Sequence, residues 1–381
     1  MFHAAPLAGL ELPESLQFHG FASQGYTWTS NNNFFGNSSD GGVFQPTEVA
    51  VNASWLPLNN LQLSGQLLFL NAGEGTGKLN LDYGLADYTL ISDDTNRWGM
   101  RLGRVKNPSG FYNETRDVAF TRPSILLPQS IYPVYVRNLA LSSDGLYVYG
   151  ERRSDYGDFF FQSGIGYPLA VNNELKPAAF GTTQVPGSFE SQPSYLSRLL
   201  YEWNGGRLRT AVTYFQTNWD YGVGAIPFEF LDSLRIEPWI FSLQYNAEDW
   251  GLTAEYTSRK VRAQSGSVIN VQMQEGYYIQ GTYRFSPAWE ALIRYDVLYG
   301  DKNDKDGTKF AATDRLRRPA YSQFAKDLTV GLNWNINPQF SLRAEYHRVN
   351  GTAWLPFLDN PDPSINSQYW DMLLFLASYR F

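Results

Sequence analysis

The chain has 381 residues, 43% hydrophobic and 16% aromatic, with no cysteine and a formal net charge of -7. Its length fits two domains or one all-β or α/β barrel, and the lack of cysteine excludes a disulfide framework and a thiolate metal centre. No run approaches the roughly 18 to 20 apolar residues of a membrane helix, and a pI near 5.1 speaks against a nucleic-acid partner, which requires a basic face.

The opening, MFHAAPLAGLELPES, lacks the basic n-region of a secretory leader. Beyond it, the organising signal is alternation with period 2, which puts one residue set on each face of a strand. Sixteen such segments begin near Leu16, Val43, Leu61, Lys78, Arg97, Leu146, Asp158, Tyr195, Arg207, Leu234, Leu252, Glu275, Trp289, Asp327, Phe340 and Gln368. In LQLSGQLLF, Leu61, Leu63, Leu67 and Phe69 oppose Gln62, Ser64 and Gln66; in WEALIRYDVLY, Trp289, Ile293, Tyr295 and Val297 oppose Glu290, Arg294 and Asp296. The parity slips at Gln24, at 84–88 and at 215–219, which marks either bulges or strand boundaries that lie elsewhere.

Connections alternate in length. Turn-forming residues make short ones at Pro57, Ser92, Ser154, Asn204, Asn246, Ser286 and Asn337. Long ones fall at about 30–42, 72–77, 107–143, 171–193, 221–232, 264–273, 300–325 and 352–367. Seven short turns and eight long loops predict an all-β, antiparallel up-and-down barrel of about sixteen strands, with both chain ends on the short-turn side.

Aromatic residues cluster at both ends of these segments. Trp55, Trp98, Trp203, Trp289, Trp334 and Phe340 fall beside short turns; Tyr26, Trp28, Phe69, Trp219, Tyr299 and Trp370 fall near long loops. Two girdles around an apolar band predict a membrane barrel. The competing reading, rings filling a β-sandwich core, does not explain an apolar stripe opposed by a charged one on every strand.

The polar stripe then faces the interior. It carries Arg97, Arg101, Arg198, Arg207, Arg209, Arg259, Arg284, Arg294, Arg343 and Arg380 with Glu48, Asp82, Glu202, Glu237, Glu255, Glu290, Asp296 and Glu345. Cross-strand ion pairs that stiffen the wall explain many of these; pore-lining contacts with a solute are the alternative, carried by Arg101, Arg198, Arg209, Arg259, Arg284, Arg294, Arg343, Glu255, Glu290 and Glu345. Arg259, Arg284, Arg294 and Arg343 would form a basic row of the kind that draws anions into pores. Catalysis has little support: His3, His19 and His347 fit no metal-ligand or nucleophile spacing, and His347 near Glu345 and Ser341 is the one conceivable acid-base pair. No cofactor motif occurs, so the expectation is a protein that is not an enzyme.

The final stretch, MLLFLASYRF, puts Phe381, Tyr379, Ala377, Phe375 and Leu373 on one face. It resembles the C-terminal signature of Gram-negative outer-membrane β-barrels, which implies recognition by the barrel-assembly machinery. From Leu16 to Phe381 the chain looks like a sixteen-stranded porin, and GRVKNPSGFYNETRDVAFTRPSILLPQSIYP from Gly103 is similar to the strand-to-third-loop region of porin-like proteins, including the phosphate-selective group.

That resemblance implies a periplasmic segment over 1–15, a barrel over 16–381 and both termini in the periplasm. The surroundings would be lipid bilayer and lipopolysaccharide. A long third loop would fold into the lumen as the constriction, stiffened by Pro108, Pro123, Pro128 and Pro133 and charged through Glu114, Arg116, Asp117 and Arg122. It further implies passive passage of small hydrophilic solutes with weak anion preference or near neutrality. A homotrimer is expected, with Gly20, Ala22, Ala53, Gly65 and Ala377 where barrels meet. A substrate-specific anion or sugar channel and a plugged structural barrel remain as alternatives.

Overall fold

The computed structural model describes residues 15–74, 76–222, 231–314 and 317–381; most of the expected N-terminal segment lies outside them. The strands are β1 (Leu16–Thr29), β2 (Thr47–Leu58), β3 (Leu61–Asn71), β4 (Lys78–Ser92), β5 (Asn96–Lys106), β6 (Ser142–Arg152), β7 (Asp158–Pro168) and β8 (Ser188–Trp203). They continue as β9 (Leu208–Gly222), β10 (Ser233–Asn246), β11 (Trp250–Ser265), β12 (Val268–Ser286), β13 (Trp289–Tyr299), β14 (Phe324–Asn335), β15 (Phe340–Gly351) and β16 (Tyr369–Arg380). Each pairs antiparallel with its sequence neighbours, and β1 pairs with β16, so the sheet closes.

The expected long loop at 264–273 does not exist. Ser265 pairs with Val268 across a two-residue turn at Gly266 and Ser267, and Gly266 supplies the φ of +55° that a tight hairpin requires. The polar run that resembled a loop is ladder instead, because these strands extend past the apolar band.

Two of the three parity slips have distinct causes. In β4 the slip is one of register: the pairing shifts against β3 at Gln66/Leu67 and against β5 at Thr89/Ile91. In β9 the pairing with β10 keeps one register from Trp219 to Tyr214, and the register shift against β8 puts its extra residue on β8, between Gln192 and Tyr195; β9 itself keeps its alternation and the chemistry changes sides. Phe215, Trp219 and Tyr221 are buried inward, while Gln216, Asn218 and Asp220 point out.

Large apolar side chains alternate outward along the strands, the pattern of a lipid-facing band. At the short-turn end Trp55, Trp98, Trp203, Trp334 and Phe340 are exposed, with Trp289 stacked on Trp334 at 5.1 Å. At the long-loop end the expected girdle needs correction. Trp219 and Trp370 are buried on the inner face, and Tyr299 packs with Phe324 and Tyr321. Tyr26, Trp28 and Phe69 keep the outward parity and are half-buried; Trp239, Tyr256, Tyr277, Tyr295 and Tyr346 are further outward rings there.

The closing seam joins Phe381 to β1. Phe381 N–H donates to the Gly20 carbonyl at 3.0 Å and Gly20 N–H returns a bond at 3.2 Å. The Phe381 ring lies over Gly20, where a Cβ would come within 2.5 Å of Cζ, so a side chain at this outward site would displace the terminal ring.

The interior is not uniformly polar. The inner face of β16 presents Trp370, Met372, Leu374 and Leu376, all buried against Ile125 and Leu126 of the β5–β6 connection and Trp354 of the β15–β16 connection. A second cluster joins Tyr112, Leu127, Ile131 and Tyr132 of the β5–β6 connection to Tyr147, Phe215, Ile240 and Tyr278 of the wall.

Candidate functional site

The segment 107–137 between β5 and β6 is bonded to inward residues of the wall, mostly through its backbone. Three wall carboxylates accept its N–H groups. Glu345 on β15 accepts from Ile125 and, at 3.2 Å, Leu126; Asp296 on β13 accepts from Gln129 at 2.7 Å and Ser130 at 3.3 Å. Glu255 on β11 accepts from Phe111 N–H at 3.0 Å and from the hydroxyls of Tyr132, Ser242 and Tyr278 at 2.5, 2.5 and 2.8 Å. A buried carboxylate needs such a full set of donors to offset its lost hydration.

Guanidinium groups complete the attachment. Arg294 donates to Ser124 Oγ at 3.0 Å, Arg343 to the Arg122 carbonyl at 2.7 Å and Arg259 to the Ser130 carbonyl at 3.2 Å. Arg198 pairs with Glu114 at 2.8 Å. Arg122 of the segment makes a two-pronged bond to Glu48 at 3.0 and 2.8 Å, the planar geometry that strengthens such pairs.

The expected pore-lining residues thus separate into groups. Glu255, Glu345, Arg198, Arg259, Arg294 and Arg343 meet the segment. Arg101 pairs with Asp87 at 2.9 Å and lies over the Tyr149 ring; Arg209 pairs with Glu202 at 2.6 Å and lies over Phe111. Arg284 is exposed near the short-turn end, opposite Glu290 in the ladder and beside a bulge. The four arginines expected as one basic row therefore have unequal surroundings.

Within the segment, Arg116 donates to the Tyr132 and Pro133 carbonyls at 3.1 and 3.2 Å, and burial, reinforced by the Arg137 charge, lowers its pKa to about 10. Asp117 bridges Lys106 at 2.5 Å and Arg137 at 2.7 Å. Burial pushes this carboxyl up, but Arg137, Lys106 and Arg116 outweigh it and hold it well below the usual range. Lys106, Arg137 and Tyr132 were not singled out in the sequence. Lys106 shares strand parity with the lipid-facing Trp98 and Leu102, and nothing in that parity announces its pairs with Asp82 and Asp117.

His347 is fully buried, 2.8 Å from Asp327 and 3.3 Å from Glu345. Among the described residues Ser341 Oγ has no hydrogen-bond partner; the hydroxyl beside the imidazole is that of Thr329, 3.1 Å from Nδ1. Among the described residues no cluster of His, Asp or Glu is arranged to hold a metal ion.

Beside the segment lies a cavity of about 640 Å³. Its walls include Phe215, Ile236, Ile240 and Val261 of β9–β11, residues 133–141 of the β5–β6 connection and 355–360 of the β15–β16 connection. Glu174, on the helix Asn172–Phe180, also lines it and accepts from Asn138 N–H at 3.0 Å and from the Asn138 amide. Burial raises the Glu174 pKa to about 7 despite those bonds.

No protein-family model matches the sequence, and a search of curated proteins finds no match. Solved structures do resemble the fold. An outer-membrane-expressed OmpT of Vibrio cholerae superimposes with a TM-score of 0.60 at 12% identity, over 96% of this chain and 97% of that one. The outer membrane channel DcaP of Acinetobacter baumannii gives 0.59 at 12%, over 96% and 97%. The anion-selective porin from Comamonas acidovorans gives 0.59 at 11%, over 96% and 99%. At these identities the likeness is one of fold: the sixteen-stranded barrel of outer-membrane porins and channels.

Proposed function

We propose that this chain is an outer-membrane porin that gives passive passage to small hydrophilic solutes and ions. The observation that carries this reading is the attachment of 107–137 to wall residues on β2, β8, β11, β13 and β15. In this reading the segment is folded into the lumen as the constriction, and permeation uses the space left beside it. Glu114, Arg116, Asp117 and Arg122 then set its charge and its rigidity. Solute passage is non-enzymatic and requires no cofactor. Both termini lie on the periplasmic side, the outward band meets lipid and lipopolysaccharide, and the barrel-assembly machinery inserts the chain.

Homotrimer formation is part of the proposal: Ala22 and Ala377 are exposed small residues on the outer face, suited to close barrel approach. The outer face of Gly20 is already occupied by Phe381. An OmpT of Vibrio cholerae has been solved in a trimer form. The kinship with phosphate-selective porins rests on the 103–133 segment alone.

Selectivity follows from the unequal arginines. Arg294 and Arg343 hold the segment, so the basic row is weaker than its four charges suggest, and weak anion preference or near neutrality is expected. Purified protein in a planar bilayer should give discrete open steps with a reversal potential near zero or slightly toward chloride. Absence of any step, with the barrel folded, would favour a plugged structural barrel; strong cation selectivity would sink the charge assignment.

A further inference from the structure

The outer and inner faces of β9–β11 exchange character along their length. On β10, Trp239, Phe241 and Leu243 point outward, yet nearer the long-loop end the outward residues are Glu237 and Arg235. The inward residues at that end are Ile240, Ile236 and Leu234. On β11 the outward set changes from Leu252 and Tyr256 to Lys260 and Arg262, while Val261 and Ala263 face in. The row through Tyr214 and Trp239, which pair across the ladder, therefore marks the edge of the lipid-facing band. Past it these strands stand in water with an apolar inner surface, and that surface borders the cavity.

One charge sits among these apolar groups. Arg259 Nη1 donates to Gln274 at 3.0 Å and Nη2 to the Ser130 carbonyl at 3.2 Å, both neutral acceptors. Among the described residues it has no carboxylate partner. The other charged groups deep in the cavity are occupied. Asp82 meets Lys106, Arg137 meets Asp117, Arg104 meets Asp144 and Arg318 meets Asp314. Glu174 accepts from Asn138, and Asp359 accepts from the Gly36 and Glu74 N–H groups. Lys78 and Glu74 lie at the exposed edge, with opposite signs. A guanidinium has five N–H donors, so Arg259 keeps donors for a ligand.

We propose that this cavity is a binding subsite for amphipathic monocarboxylates, with the anionic head on Arg259 and an apolar tail along Phe215, Ile236, Ile240 and Val261. The volume suits a tail of medium length, within the 300 to 1,000 Å³ range of small-molecule sites. Charge complementarity selects the head: a neutral or cationic head would leave the guanidinium uncompensated. This deepens the channel reading, since a subsite beside the constriction would enrich such solutes before passage.

The test uses the full barrel in lipid nanodiscs, titrated calorimetrically with butanoate, hexanoate, octanoate and 1-hexanol. Each added methylene should lower the half-saturating carboxylate concentration about fourfold, and hexanol should bind at least tenfold more weakly than hexanoate. R259Q should weaken every carboxylate at least tenfold without affecting hexanol. R259K should keep the preference, and V261T should reduce the increment per methylene. Heat-modified gel mobility verifies that each variant is folded, and protein-free nanodiscs of the same lipid supply the baseline for partition into lipid. Equal binding of hexanol and hexanoate, no chain-length dependence, or an unaffected R259Q would overturn the proposal. Conductance is recorded separately: channel steps without Arg259-dependent binding reject the subsite alone, whereas binding without steps rejects the channel reading and keeps the subsite.

Discussion

The two sides of the inner wall obey one backbone rule and end in opposite states. Along β13–β16, Arg294, Asp327, Glu345 and His347 are buried in a dense polar network, and beside them Met372, Leu374 and Leu376 are covered by Ile125 and Leu126. Along β9–β11, Phe215 and Ile240 share a buried cluster with Leu127, Ile131 and Tyr132 of the β5–β6 connection on one flank, and with Ile236 and Val261 they border open space on the other. Alternation determines which side chains point inward, but whether those side chains form a core or a site depends on what the β5–β6 connection covers. One side of the wall is covered throughout, whereas the other is packed on one flank and lines open space on the next.

The most severe test of this contrast removes an anchor from the packed side. Glu345→Ala leaves the Ile125 and Leu126 N–H groups and His347 Nε2 without their acceptor, while His347 Nδ1 keeps Asp327. Breaking such a buried charged network costs about 3 to 5 kcal/mol, which should appear as a lower temperature of heat modification and as noisier, larger conductance steps. Unchanged values would mean that Glu345 does not hold the segment.

A matched pair of apolar truncations sharpens the comparison. Leu374→Ala opens a hole in a filled region and should cost about 3 kcal/mol, whereas Ile236→Ala enlarges an existing space and should cost about 1 kcal/mol. Urea unfolding of both variants in the same lipid measures the difference. Equal losses would show that the two sides are packed alike.

The smallest expected effect concerns the clasp between Glu174 and Asn138. The folded-state value near 7 lies above the ordinary 4.5 of a glutamate, so the folded form holds a proton that the released form loses. The clasp therefore carries no electrostatic penalty below pH 4.5 and weakens as pH rises through about 7. Between pH 6 and 8, hydrogen-exchange protection of the Asn138 amide should fall about tenfold after correction for intrinsic rates. Glu174→Gln should flatten that dependence, and a flat profile in the unsubstituted protein would refute the assignment.

The strand plan was readable in the sequence because period 2 is a strong signal: the expected starts at Leu16, Leu61, Lys78, Asp158, Trp289 and Phe340 coincide with the observed ones. Leu374 and Leu376 were legible as the inner set of the last strand, and by that same parity Trp370 belongs with them rather than in the outer girdle. Partner choice was not legible. Arg259, Arg284, Arg294 and Arg343 look equivalent as a row of inward cations, yet their surroundings depend on where residues 122–130 fall, and no local pattern encodes that. The exchange of faces on β9 was visible as a slip at 215–219, but a slip in chemistry and a slip in register give the same signal until the ladder is seen.

That exchange makes the row through Tyr214 and Trp239 a frontier between two solvents within single strands. On one side the wall is apolar outside, as lipid demands; on the other it is built like the wall of a soluble calyx, wet outside and greasy within. Pairing of β10 with β11 runs through the frontier without a break, and the β9–β10 ladder keeps one register on either side of a gap at Glu237 and Pro238, where proline has no N–H to donate, so the two segments of wall share a scaffold while answering to different selective demands. Substitutions on the calyx side can remodel what the mouth receives without altering how the barrel sits in its bilayer.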